Sequence, residues 1–183
     1  MKKIIIGSLV GAIIFYALQS IMWMGGLHGE FRTYTPNQSA VMDALSQNLK
    51  EDGLYMVPMV DPASPTKAAE QEKMWNDNVG KPWTMIFYHK SQDEMSMSYM
   101  LIGFLYSLIA CLIAALILFY GSFATFNSRF LVAMAFSIFT LSQGVLDDMN
   151  WWSYPWSFVK PEIIDLTIGW GICSLWLAWY FKK

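Results

Sequence analysis

Charge is scarce in this chain and almost missing from its longest stretches. Of 183 residues only 14% are Asp, Glu, Lys or Arg, against 55% hydrophobic, which excludes an ordinary soluble domain, where about a quarter of residues are charged. Cysteine and histidine number two each. Cys111 and Cys173 both fall inside apolar runs and none lies between residues 25 and 94, which excludes a disulfide-stapled outer domain and a Cys-pair metal site. A nucleophile elbow, an HExxH zinc motif, a phosphate-binding glycine loop and a basic nucleic-acid patch are also missing. The apolar runs lack the succession of charges that pumps and proton relays use. These gaps point away from an enzyme and from active transport. No catalytic residue, metal site, cofactor or nucleic-acid partner is expected.

What is present is apolar sequence of membrane-crossing length. Ile4 to Met24 carries no charge and sits behind Lys2 and Lys3; about 20 such residues cross a hydrocarbon layer of about 30 Å as a helix. A secretory signal would have an apolar core of about 7 to 15 residues ending at a small-x-small site. This run ends in Met-Trp-Met, so a retained span is expected. Three more runs follow, Met97 to Phe119, Phe130 to Leu146 and Ile163 to Phe181. Threading them alternately leaves Lys2, Lys3, Arg129, Lys182 and Lys183 on one side and all fourteen acids on the other. Short purely basic loops mark the cytoplasmic face, which puts both termini there.

The expected architecture is a membrane all-α fold, a four-transmembrane-helix bundle with a small α+β extracytoplasmic domain inserted between helices 1 and 2. Its parts are 1–24 (N-terminus and first span), 25–94 (outer domain), 95–120 (second span), 121–129 (cytoplasmic turn), 130–146 (third span), 147–162 (aromatic outer loop) and 163–183 (fourth span and C-terminus). Gly7 with Gly11, Gly103 with Ser107, Ala110 with Ala114 and Gly169 with Cys173 repeat a small-xxx-small spacing that lets helices approach closely in lipid.

In the outer segment Thr35-Pro36-Asn37-Gln38 reads as a capping box with Pro at the first helical position. Val41, Met42, Leu45 and Leu49 recur at helical spacing, and Gly53 is placed to end that helix. Leu54 to Met59 and Trp83 to His89 suit two strands, the first limited by Pro58. Ser64-Pro65 opens a second helix through about Asn78, and Ser91 to Glu94 offers a capping box for the second span.

Three groups of residues invite a site. Gln143 and Asp147 share a helix face, and Asp148, Glu162 and Asp165 fall at nearly the same depth. With Gln19 they line an outward-facing polar rim suited to a cation or polar solute, Asp165 being the member that intrudes furthest into a span. Trp151, Trp152 and Trp156 with Tyr154 and Phe158 suit either an aromatic cage or an interfacial belt, and the belt is expected. His28, His89 and the flanking methionines offer ligands for copper or haem, but without a ligand motif interfacial side chains are expected instead.

Tyr34-Thr35-Pro36, Gly53 to Pro58 (GLYMVP), Ile86 to His89 (IFYH), Asn150 to Pro155 (NWWSYP), Ile164-Asp165 and Gly169-Trp170, in that order, resemble a group of uncharacterised bacterial four-span membrane proteins. The resemblance implies the architecture and a bacterial inner (plasma) membrane, and transfers no activity. One long outer segment between spans one and two is also similar to the layout of claudin-like proteins, from which this chain departs in lacking the outer cysteine pair. Beside the lipid bilayer, an envelope protein partner or a second copy is expected, with a non-enzymatic accessory role. The alternative is a small-ligand or cation-binding protein using Gln19, Gln143, Asp147, Asp148, Trp151, Trp152, Trp156 and Asp165; a third class, an enzyme on lipid or envelope substrates, would use Asp147, Asp148 and Asp165 as acids.

Overall fold

A computed structural model describes residues 1–182. It is mostly helical, with four helices long and apolar enough to cross a membrane: α1 (Lys2–Met24), α4 (Met97–Tyr120), α5 (Phe126–Trp152) and α6 (Trp156–Tyr180). Between α1 and α4 come α2 (Gln38–Asn48), β1 (Gly53–Val57), α3 (Lys67–Asn78) and β2 (Thr84–Tyr88). The chain divides into two compact units, residues 1–34 with 95–183 and residues 35–94.

The helical unit is built on the small residues noted above. A side-chain carbon added at Gly11 would stand 3.3 Å from Cys111 Sγ and 3.3 Å from Leu177 Cδ2, so α1, α4 and α6 meet at this glycine. Gly7 faces the rings of Phe181 and Tyr180, Gly103 faces Tyr16, and Gly169 faces Met22 and Phe15. Ala12, Phe15, Ala114, Leu118, Ala133, Trp170 and Leu177 fill the space between. With lipid as solvent such seams act through close dispersion contact, because burial of apolar surface gains little there. Several polar groups inside the unit are paired. Trp170 Nε1 donates to Ala133 O at 2.9 Å, and Trp176 Nε1 donates to Gly7 O at 3.3 Å. Arg129 is buried, its Nε donating to Ala178 O at 2.7 Å and its Nη1 to Phe123 O at 3.0 Å. Ala178 lies in the last turn of α6, where carbonyls lack helical partners and a cation is favoured.

Two spans differ from the expected lengths. Asp147 and Asp148 do not end α5, which continues to Trp152. Aspartate is only a mild helix breaker, and the stop comes at Ser153, in the left-handed region at φ 52, with Pro155 two residues on. Likewise α6 begins at Trp156, and Pro161 lies inside it. The supposed outer loop 147–162 is therefore mostly helix, with Ser153-Tyr154-Pro155 as the turn. Each of these helices also contains one wide π turn, Leu141–Val145 in α5 and Asp165–Gly169 in α6. Wide turns leave backbone carbonyls short of partners, and Ser137 Oγ donates to Leu166 O at 2.5 Å within the second.

In the unit of residues 35–94 the two strands pair antiparallel, Leu54 opposite Phe87 and Met56 opposite Met85. Tyr55 meets Tyr88 edge-on at 6.5 Å, and Asp52 Oδ1 accepts from Lys90 N at 2.9 Å. Three expected starts and stops are corrected. The helix after Thr35 begins at Gln38, not Pro36, because Thr35 Oγ1 accepts from Asn37 N instead of forming the box. It ends at Asn48, and Gly53 opens β1. Ser91 to Glu94 stays non-helical, and α4 starts at Met97 without a side-chain cap. A working capping box occurs where none was expected, Thr125 with Ser128 at the start of α5.

Candidate functional site around Asp165

Asp165 is the buried acid of the helical unit, 2% exposed, and sits at the first residue of the wide turn in α6. Its carboxylate is held from two directions. Trp23 Nε1, at the end of α1, donates to Oδ2 at 2.8 Å. His28 Nε2 lies 2.9 Å from Oδ1, with that imidazole also buried. The local sequence explains the reach. After α1 ends, Gly25-Gly26-Leu27 turns the chain back, and Gly26 has φ 79, a conformation that glycine adopts without steric cost. His28 returns beneath the indole of Trp23, ring centroids 4.7 Å apart and edge-on. Phe31 packs on Trp23 at 4.9 Å and stacks on Phe158 of α6 at 4.9 Å, while Lys160 Nζ and Glu30 Oε2 close the rim at 3.2 Å.

The chemistry of the pair follows from the donors. An indole N–H can only donate, so Oδ2 is an acceptor; with Asp165 ionised, His28 carries its proton on Nε2. His28 Nδ1 is then left over. It is buried and has no hydrogen-bond partner, an unusual condition for a polar atom. His28 also lines a small cleft with Glu30, Phe31, Ser157, Lys160 and Pro161, of about 10 Å³, room for one water.

The other rim residues expected from the sequence are arranged differently. Gln143 and Asp147 are exposed on α5, Asp148 and Gln19 are half-buried, and Trp151, Trp152 and Trp156 are exposed. Among the described residues no hydrogen bond or ion pair joins any of them to Asp165, whose partners are the tryptophan and histidine after α1. His28 is buried, whereas His89 is exposed, 3.8 Å from Asp52. Trp23 and His28 were the residues sequence reasoning missed as partners; the signal available was a Trp-Met-Gly-Gly-Leu-His turn facing a span with an intruding acid. Cys111 and Cys173 are free and buried with sulfurs 3.7 Å apart. Among the described residues no group of three or more His, Cys, Asp or Glu is placed to hold a metal ion. The chain matches no known protein family, and no curated protein or solved structure is similar to it.

Proposed function

We propose that this chain is a multi-pass protein of a bacterial inner membrane, both termini cytoplasmic, whose outer segment binds an envelope protein partner and performs no chemistry of its own. Four apolar helices, and basic residues without an acid near their ends on one side (Lys2, Lys3, Arg129, Lys182 and Lys183), support the placement. The observation that carries the partner reading is the near absence of a core in residues 35–94, where Tyr88 alone is buried. Trp75 and Phe87 are 72% and 67% exposed, and Leu54 beside Phe87 is exposed too. A two-stranded sheet is marginal by itself in water. Covering one such large apolar side chain contributes about 2 kcal/mol, so a partner on the Leu54–Phe87 face supplies what the segment lacks.

The test is isolation of the tagged chain in lipid nanodiscs after mild crosslinking in cells. A stoichiometric partner is expected with the wild type and is lost with Leu54→Lys/Phe87→Glu while the helical unit melts as before. An unchanged set of bound proteins in that variant would refute the reading.

One observation favours the second reading, a small ligand or cation at the outer rim. His28 Nδ1 is buried without a partner, and His28 lines a cleft that also holds the Lys160–Glu30 pair. A small cation bound there raises the melting temperature of the wild type and not of His28→Ala; no shift with any of a set of monovalent and divalent cations would count against it.

A further inference from the structure

We propose that α5 pairs with α5 of a second copy of this chain through the stripe Thr140, Gln143, Gly144 and Asp147. The inference rests on the membrane placement given above. The four positions run through the wide turn Leu141–Val145, so it is their exposure, and not a 3.6-residue spacing, that groups them. Thr140, Gln143 and Asp147 are exposed, and a side-chain carbon built on Gly144 would meet nothing within 4 Å. Of the four spans α5 is the least covered by its own chain, 11% of its most apolar stretch being buried against 28–39% in the others.

Depth makes this exposure costly. At 1.5 Å per residue Gln143 lies roughly 14 Å below the outer end of α5. A 27-residue helix exceeds a hydrocarbon layer of about 30 Å by only a few residues at each end. The amide of Gln143 therefore falls within the hydrocarbon layer, where polar side chains face protein or water and not lipid.

A second copy is the occupant that fits. An amide is both donor and acceptor, so two Gln143 side chains across a two-fold axis satisfy each other, as an isologous contact requires. The hollow at Gly144 meets its own image and lets the backbones approach. Asp147 lies one turn nearer the outer end, at the edge of the hydrocarbon layer, where two carboxylates can separate and reach water.

The test uses the full chain in lipid vesicles, with Thr140→Cys, which leaves the Gln143 amide in place, compared with Ile138→Cys, an exposed position on another face of α5. Under copper-phenanthroline oxidation Thr140→Cys is expected to give a product of twice the mass, Ile138→Cys and the wild type none. Gly144→Leu, which meets no atom of its own fold at the first carbon, is expected to abolish the Thr140→Cys product and leave the melting curve unchanged. No product from a chain that resists alkaline extraction overturns the pairing alone. Equal products from both positions, or a product with a different protein, also overturn it. Alkaline extraction of the chain from the vesicles overturns the membrane placement itself.

Discussion

Removing His28 strips a buried carboxylate of one of its two partners, and the size of the effect can be worked out. Asp165 and His28 side chains are 3% and 1% exposed, so water does not replace the lost imidazole. Leaving a buried acceptor without a donor costs about 1–3 kcal/mol, and more when that acceptor is charged. His28→Ala is thus expected to cost about 3 kcal/mol. In a chain of this length each kcal/mol moves the midpoint by about 2–4 °C, which gives a drop of about 6–12 °C at a fixed heating rate. Asp165→Leu leaves two donors without an acceptor, Trp23 Nε1 and His28 Nε2, and is expected to cost about 2–3 kcal/mol. The double variant His28→Leu/Asp165→Leu removes both halves, and the partly exposed Trp23 can turn to water. Its loss should fall short of the sum of the singles by about 2 kcal/mol, the signature of a direct contact. A dye that fluoresces on reaction with thiols suits the measurement, since Cys111 and Cys173 are both fully buried and silent until unfolding. A midpoint for His28→Ala within 2 °C of wild type, or strict additivity in the double variant, would refute the reasoning.

Three further outcomes follow from the packing and the polar contacts. Gly11→Val places new carbon against Cys111 and Leu177, already 3.3 Å from a first carbon, and should lower stability by about 1–3 kcal/mol in the same thiol assay. Arg129→Ala leaves the carbonyls of Ala178 and Phe123 without their donor; a loss of about 2–3 kcal/mol is expected, with Arg129→Lys intermediate because an ammonium cannot reproduce the fork. The Glu70 carboxyl, outside the spans, is held below its usual range by hydroxyl donation from Thr66 and then Ser64. Its pKa is lower folded than unfolded, so the contact supports α3 above the unfolded value and is lost as pH falls through the folded one. Carbon-13 resonances of Glu70 followed against pH should show Thr66→Ala moving the titration upward.

The sequence carried the large elements and not their ends. Apolar length located α1 and α4 to within two residues, because lipid spanning imposes a long unbroken run. The strands at Leu54 and Trp83 were legible from aromatic and β-favouring residues, and they pair antiparallel. The end of α5 at Trp152 and the start of α6 at Trp156 were missed because a helix that continues beyond its apolar stretch can carry acids and even Pro161, which a hydrocarbon layer would penalise. The wide turns left no mark in composition. Asp165 stood out as a costly acid, but its partners did not: Trp23 and His28 lie 142 and 137 residues away in sequence, joined only by a turn at Gly26. Arg129 was legible as a basic loop residue; that it reaches back to the end of α6 depends on helix packing, which no local pattern encodes.

The central claim is the placement of the acidic segment and the basic loops on opposite sides of a bilayer. Single cysteines at Ser46 in α2 and at Ser122 between α4 and α5 can be probed in cells with a maleimide that does not cross membranes. The account predicts labelling of Ser46→Cys from outside, and of Ser122→Cys only after the membrane is permeabilised. Labelling of Ser122→Cys in intact cells with Ser46→Cys protected would contradict it.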